Sequence, residues 1–205
     1  MVKIAVLVSG RGSNLQAIIY SIEAKKLNAS IAIVISDVQN ALALDIAGKH
    51  GIKTLFVDPN KFKTRDHFDK NIIEILKNEQ VSLICLAGFM RILSKTFVQQ
   101  FKNRIINIHP SLLPSFPGLN VQKKALDSGV KFSGCTVHFL DEGVDTGPII
   151  SQAVVPVLDG DTVESLSERI LKEEHRIYSV AIQAFIEQRF VCEGKKVIWK
   201  NEKKS

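Results

Sequence analysis

Cysteine is scarce in this sequence, and long apolar runs are missing. Its three cysteines, Cys85, Cys135 and Cys192, are far apart and form no CxxC pair or Cys/His ligand spacing. We therefore expect neither a disulfide framework nor a metal site. We expect the protein to reside in a reducing compartment. No segment reaches the roughly 18 apolar residues of a membrane span. The apolar run 4–8 is too short for the core of a signal peptide. We expect a cytoplasmic protein with no membrane attachment.

Basic residues are in mild excess. The 205 residues carry a formal net charge of +6, part of which lies in the lysine-rich tail 195–205. Because basic and aromatic residues are not interleaved elsewhere, a nucleic acid partner is not expected. The excess positive charge instead suits a small anionic substrate.

Strand-like and helix-like segments alternate along the first half of the chain. Short apolar runs predict strands near 3–8, 31–35, 53–57, 82–86 and 105–109, with segments of helical spacing between them. This alternation predicts an α/β fold with a doubly wound, mainly parallel, Rossmann-like sheet.

The second half has a different character. After a proline-rich loop and a short helix, strands are predicted near 135–139 and 149–155. A long helix then begins at Asp161, with Glu164 in capping-box spacing, and a hairpin follows it. We expect a single domain, 1–205, in which the half 111–205 covers the edge of the sheet formed by 1–110.

Two polar side chains share one face of the strand 105–109. Asn107 and His109 alternate with apolar residues and so point the same way, and Pro110 should end the strand pairing. Ligands of open α/β sheets bind at the carboxyl ends of strands. A carboxamide beside an imidazole suits acyl transfer through an oxyanion, and no nearby Ser or Cys stands in a nucleophile context. The alternative is a pair of hydrogen-bonded polar groups in the core.

The loop 9–14, which joins the first strand to the first helix, contains two glycines. Backbone N–H groups can approach a ligand there, and a helix N-terminus favours phosphate. Leu15 stands where a dinucleotide fingerprint needs a third glycine, and no Walker lysine follows. A phosphate site without a nucleotide cofactor is predicted; the alternative is a tight turn with Ser13 as the N-cap.

Three acids lie in the loop 141–148, which joins two predicted strands. Composition alone indicates a turn. The loop can nevertheless fold over the sheet edge and bring a carboxylate to His109, which would favour the charged ring that a proton donor requires. His138 is expected to support the site from behind, with a plain structural histidine as the alternative. Arg65 and Arg91 either meet an anionic ligand or are solvated.

Several blocks carry a resemblance to a known family: 8–18, 86–94, 107–118 with its Asn-Ile-His-Pro-Ser-Leu-Leu-Pro run, 144–150 and 174–178. Over nearly its whole length the sequence resembles the folate-dependent phosphoribosylglycinamide formyltransferases. The resemblance implies a catalytic trio of Asn107, His109 and Asp145. It implies substrate contacts at Gly12, Ser13, Asn14, Leu171, Lys172, Glu173 and Glu174. It implies folate contacts at Arg65, Met90, Arg91, Ile92, Leu93, Asn107, Asp141, Glu142, Gly143, Val144 and Asp145, with Arg65 also able to meet the ribonucleotide.

The implied reaction transfers a formyl group from 10-formyltetrahydrofolate to the amine of glycinamide ribonucleotide, in purine synthesis. No metal, nucleic acid or membrane partner is implied, and a monomer or weak homodimer is expected. Methionyl-tRNA formyltransferases and formyltetrahydrofolate hydrolases share the Asn-x-His motif, but each carries an additional domain for which we expect no room in this chain. A non-catalytic metabolite sensor on the same sheet is a further alternative, although it would be free to lose any member of the trio.

Overall fold

The computed structural model describes residues 1–200, so the end of the lysine-rich tail, 201–205, lies outside the described residues. The elements in chain order are β1 (Val2–Val8), α1 (Ser13–Glu23), β2 (Ala29–Ser36), α2 (Leu42–Lys49), β3 (Thr54–Phe56), α3 (Arg65–Asn78), β4 (Leu83–Leu86), α4 (Lys95–Gln100), β5 (Ile105–His109), α5 (Val121–Asp127), β6 (Phe132–Phe139), β7 (Ile149–Pro156), α6 (Val163–Ile186), β8 (Phe190–Glu193) and β9 (Lys196–Trp199). Across this part of the chain, no helix is both long enough and apolar enough to cross a membrane.

Seven strands form one sheet in the order β3-β2-β1-β4-β5-β6-β7, and β8 pairs with β9 separately. The first five strands are parallel, whereas β6 runs antiparallel to both β5 and β7. The apolar strands are buried on both faces, because α1, α2 and α6 pack on one side and α3 and α4 on the other. The predicted doubly wound, mainly parallel α/β fold is confirmed.

The carboxyl ends of β1, β4 and β5 meet at one edge of the sheet. The strand order reverses between β1 and β4, because β2 and β3 are added on one side of β1 and β4 and β5 on the other; this is the switch point where open α/β folds bind ligands. Three segments therefore converge there: the loop 9–14, the segment 87–94, and the residues at and after His109.

The start of α6 differs from the sequence prediction by one residue. Thr162, not Asp161, is the N-cap, and its capping partner is Ser165 rather than Glu164. The Asp161 carboxylate is already engaged, because Arg169 donates two 2.8 Å hydrogen bonds to it. This guanidinium holds the pKa of Asp161 well below its usual range.

Tyr178 ties α6 to the strands that carry the site. Its buried hydroxyl donates to the carbonyl oxygen of Leu86, at 2.9 Å, and lies 3.1 Å from that of Ile106. These carbonyls stand at the end of β4 and in β5, immediately before Ala87 and Asn107. The helix thus holds β4 and β5 in place next to Ala87 and Asn107.

We expect Tyr178→Phe to lower the free energy of unfolding by about 1–2 kcal/mol, because it removes a buried donor from carbonyl groups that water cannot reach. Tyr20→Phe is the matched control, since Tyr20 is 52% exposed and its hydroxyl contacts the Gln16 side chain on the surface of α1. Urea unfolding measures both variants. Equal effects of the two substitutions would contradict the anchoring role of Tyr178.

Candidate active site

Asn107 and His109 lie on the last strand of the parallel part of the sheet, next to the antiparallel β6. The register places Asn107 opposite His138 and His109 opposite Thr136. His109 is buried, with 5% of its surface exposed, and Asn107 is half-buried. The predicted sharing of one strand face brings both side chains to the same edge.

Both ring nitrogens of His109 face oxygen atoms. Nδ1 lies 3.4 Å from Oδ2 of Asp145, and Nε2 lies 3.0 Å from the carbonyl oxygen of Phe116. A carbonyl oxygen only accepts hydrogen bonds, so Nε2 carries a proton that it donates to Phe116. A proton on Nδ1 as well, paired with the Asp145 carboxylate, satisfies both contacts. Both ring nitrogens are therefore placed against hydrogen-bond acceptors.

His138 has the opposite environment. Its Nδ1 donates to the carbonyl oxygen of Phe139 at 2.9 Å, and burial lowers the pKa of the ring, so the neutral form is favoured. The remaining nitrogen, Nε2, lies 3.2 Å from Nδ2 of Asn107 and accepts a hydrogen bond from that amide. It also lies 3.7 Å from Oδ1 of Asp145. His138 thus orients the Asn107 side chain.

The loop 141–148 folds over the sheet edge as predicted. Asp145 adopts a left-handed backbone conformation (φ 55°), as does Phe116 (φ 55°), so both partners of His109 are held in an uncommon geometry. The Gly118 N–H donates to Asp145 Oδ2 at 2.8 Å. A Cβ on Gly147 would lie 1.8 Å from the carbonyl oxygen of Phe139, so this close approach requires glycine.

The loop 9–14 ends in the start of α1. The N-cap is Gly12, in a left-handed conformation (φ 80°), and Ser13 is the first helical residue, so Ser13 as N-cap is wrong. Gly12 takes this position because a non-glycine residue is strained at such an angle. Within the described chain no side chain caps this turn, and its backbone donors remain available for an anion.

A buried polar pair flanks this loop. Asn14 Nδ2 donates to Oε2 of Glu174 at 2.8 Å, across 160 residues of chain. Burial raises the pKa of Glu174, against the opposing effects of the Asn14 hydrogen bond and the Arg11 charge. Among the residues that the structure describes, Asn14 Oδ1 is buried without a hydrogen-bond partner. A buried unpaired acceptor beside an uncapped helix start is suited to a polar ligand.

The other predicted substrate contacts on α6 lie differently. Leu171 is half-buried, Lys172 is exposed, and Glu173 accepts a 2.6 Å hydrogen bond from Arg176 on its own helix. Glu174 is the member of this stretch that meets the loop 9–14.

The segment after β4 presents apolar side chains beside the trio. Met90 is 65% and Ile92 is 60% exposed, whereas Leu93 is buried. The Arg91 guanidinium lies over the ring of Phe68, 4.9 Å from its centroid, and is therefore not free in solvent. Two exposed apolar residues, one on each side of Arg91, suit a flat ring system.

The remaining predicted folate contacts lie on two exposed segments. Arg65 is exposed at the first residue of α3. Asp141 accepts hydrogen bonds from the Gly143 N–H and the Thr146 hydroxyl, at 3.0 Å and 2.7 Å, which closes the loop. Glu142 pairs with Lys95 at 3.2 Å, and Val144 is 50% exposed.

A cavity of about 240 Å³ adjoins Asp145 on the side of the proline-rich loop. Its lining consists of Leu113, Pro114, Pro117, Val144, Asp145, Thr146, Gly147, Ile149 and Lys195. Sequence reasoning missed Lys195 here, as it missed the Phe116 carbonyl and the Gly118 N–H. Backbone groups have no residue-type signal that could have indicated them.

Comparison with known proteins gives one consistent result. Residues 2–182 match the family model described as formyl transferase. The phosphoribosylglycinamide formyltransferase of Bacillus subtilis is 40% identical over 186 residues, which are 91% of this chain and 95% of that protein. The solved glycinamide ribonucleotide transformylase 1 of Symbiobacterium toebii is 51% identical, with a TM-score of 0.96 over 98% of this chain and 95% of that chain.

Longer relatives match as well. The trifunctional purine biosynthetic protein adenosine-3 of Drosophila pseudoobscura pseudoobscura is 49% identical over 207 residues. The match covers 99% of this chain but 15% of that protein, so the chain spans about a seventh of its length.

The burial of Glu174 predicts a pH-dependent gain in stability for Glu174→Gln. Because its folded pKa is raised above the ordinary 4.5, the folded chain holds this proton more tightly than the unfolded chain. The contribution of Glu174 to stability is therefore lost as the pH rises from about 4.5 through the folded pKa. Glutamine removes that loss, so the variant should be more stable than the parent at about pH 8 and no more stable at about pH 4.

Urea unfolding at both pH values measures this difference. Glu168→Gln, at an exposed position of the same helix, is the control and should have no such pH-dependent gain. A Glu174→Gln variant that loses stability at both pH values would show that the carboxylate itself is required by the fold.

Proposed function

Since the chain belongs to the formyl transferase family, we propose that it transfers a formyl group from 10-formyltetrahydrofolate to the amine of glycinamide ribonucleotide, a step of purine synthesis. The observation that carries this proposal is the convergence of Asn107, His109 and Asp145. A carboxamide, an imidazole and a carboxylate lie together at the carboxyl-terminal edge of the sheet. Such a set suits a carbonyl that becomes tetrahedral and negatively charged.

The ribonucleotide phosphate binds in this proposal at Gly12, Ser13 and Asn14. The left-handed Gly12 and the uncapped start of α1 support this assignment. The ribose and glycine end lies toward Glu174, where the unpaired acceptor Oδ1 of Asn14 can receive a hydrogen bond from a hydroxyl or amine. Leu171, Lys172 and Glu173 stay predicted contacts at the rim.

The reduced folate binds between two segments that flank the trio. Its pterin lies against Met90–Leu93, where the exposed apolar side chains of Met90 and Ile92 suit a flat ring. The loop 141–145 closes the opposite side through Asp141, Glu142, Gly143, Val144 and Asp145. Arg65, exposed at the start of α3, is available to an anionic group of either substrate.

Each residue of the trio has a separate role in the proposed reaction. The ribonucleotide amine attacks the formyl carbon, and the N–H of Asn107 not used by His138 donates to the oxygen as it gains charge. The His109 ring, whose two nitrogens face the Phe116 carbonyl and Asp145, acts as a cation beside that oxygen, and the Asp145 carboxylate stabilises the charge on the ring. A C–N bond to the ribonucleotide forms, the bond to the folate nitrogen breaks, and one proton passes from the amine to that nitrogen. The transfer is direct, so no covalent enzyme intermediate is needed.

Mixing the protein with both substrates tests the proposal. We expect formylated ribonucleotide and tetrahydrofolate in equal amounts, measured by absorbance and by mass spectrometry. Release of formate without the ribonucleotide would instead identify a hydrolase. A folded chain that binds either substrate and turns over neither would favour the sensor alternative.

Loss of the Asn107 amide should reduce turnover by about a hundredfold to a thousandfold, the usual effect of removing one oxyanion donor. Asn107→Ala is therefore expected to lower kcat by this factor while both substrates still bind. Asn78→Ala, at the exposed end of α3, is the control and should keep parental turnover. Turnover of Asn107→Ala within a few-fold of the parent would refute the assigned role.

A further inference from the structure

Ser9, the residue directly after β1, makes three hydrogen bonds, two of which reach the segment after β4. Its backbone N–H donates to the carbonyl oxygen of Gly88 at 3.1 Å. Its hydroxyl oxygen accepts from the Met90 N–H at 2.9 Å. The same hydroxyl donates to Oδ1 of Asp37 at 2.6 Å. None of these contacts belongs to the catalytic trio.

The position of Ser9 gives these bonds their significance. Ser9 immediately precedes Gly10, at the start of the proposed phosphate loop, and Met90 opens the proposed pterin segment 90–93. The two segments follow neighbouring strands, β1 and β4, but are separated by about 80 residues of chain. Ser9 belongs to the backbone of the first segment and hydrogen-bonds to the backbone of the second. The distance between the two substrates therefore depends on this contact.

Asp37 fixes the direction of the Ser9 hydroxyl. A serine hydroxyl rotates freely unless its proton has an acceptor. The Asp37 carboxylate, just after β2, receives that proton, which leaves an oxygen lone pair for the Met90 N–H. A bond to a charged acceptor is stronger than a neutral one, and bonds in a chain polarise one another. Met90, Ser9 and Asp37 thus form a chain of two hydrogen bonds that run in one direction, called the relay below.

We propose that Ser9, oriented by Asp37, is a positioning residue that sets the spacing between the phosphate loop and the pterin segment. This inference rests on the proposed function, because it assigns one substrate to each segment. Reaction between two bound substrates is sensitive to misplacement of about 1 Å, which can cost a hundredfold in rate. The relay acts without touching either reacting atom.

The test compares Ser9→Ala, Asp37→Ala and the double variant with the parent. Calorimetry measures the binding of tetrahydrofolate and of glycinamide ribonucleotide separately, and steady-state kinetics gives kcat. For Ser9→Ala we expect folate binding about tenfold weaker, the equivalent of one lost hydrogen bond, with ribonucleotide binding within about twofold. The double variant should be no worse than Ser9→Ala, because both substitutions break one relay.

Two further variants separate positioning from simple stability. Asp37→Asn keeps an oxygen acceptor for the Ser9 hydroxyl and should restore near-parental folate binding. Ser179→Ala removes a comparable hydroxyl contact, the 2.9 Å bond from Ser21 between α1 and α6, and should leave both affinities unchanged. Hydrogen exchange adds a direct readout, since the Met90 amide should exchange faster in Ser9→Ala than in the parent.

Equal weakening of both ligands, additive effects of the two alanine variants, or an unchanged Met90 amide would each overturn the inference. The failure of the proposed function is distinguishable from these results. A parent chain that binds both ligands without formyl transfer would overturn that function, and the Met90 amide would then decide whether Ser9 couples the two segments.

Discussion

The antiparallel pairing of β5 with β6 is the constraint on which the candidate site depends. It sets Asn107 directly opposite His138, and the loop after β6 then carries Asp145 back to His109. A shift of one residue in this register would turn the His138 ring to the other face of the sheet. The parallel strands place Asn107 and His109 at the edge of the sheet. The antiparallel strand β6 and the loop after it place His138 and Asp145 beside them.

One helix face supports the two halves of the site. Glu174 and Tyr178 are four residues apart on α6, so they lie one above the other on the buried face of the helix. Glu174 contacts Asn14 in the proposed phosphate loop, and Tyr178 contacts the carbonyl groups of Leu86, at the end of β4, and Ile106, directly before Asn107. The position of α6 therefore couples the proposed substrate pocket to the strand that carries Asn107 and His109. Its apolar packing against β6 and β7 holds that position.

Much of this arrangement follows from the sequence. Alternation along 105–109 predicts the shared face of Asn107 and His109, and the glycine-rich turn after β1 predicts the loop at the start of α1. Other features depend on contacts between distant residues. The cap of α6 shifts to Thr162 because Arg169 engages Asp161, and residue types alone do not reveal that competition. The Phe116 carbonyl is a backbone group, and its role exists because the folded loop presents it to His109.

The site is assembled at the expense of local stability. Asp145 and Phe116 adopt left-handed conformations, and Glu174 is a buried carboxylate. Each of these features raises the free energy of the folded state. The extensive apolar core on both faces of the sheet offsets these costs. Donors fixed before the substrate arrives need no rearrangement when charge develops, and this is where electrostatic catalysis gains its effect. A strained edge held in place by a large core therefore fits the proposed direct transfer between two bound molecules.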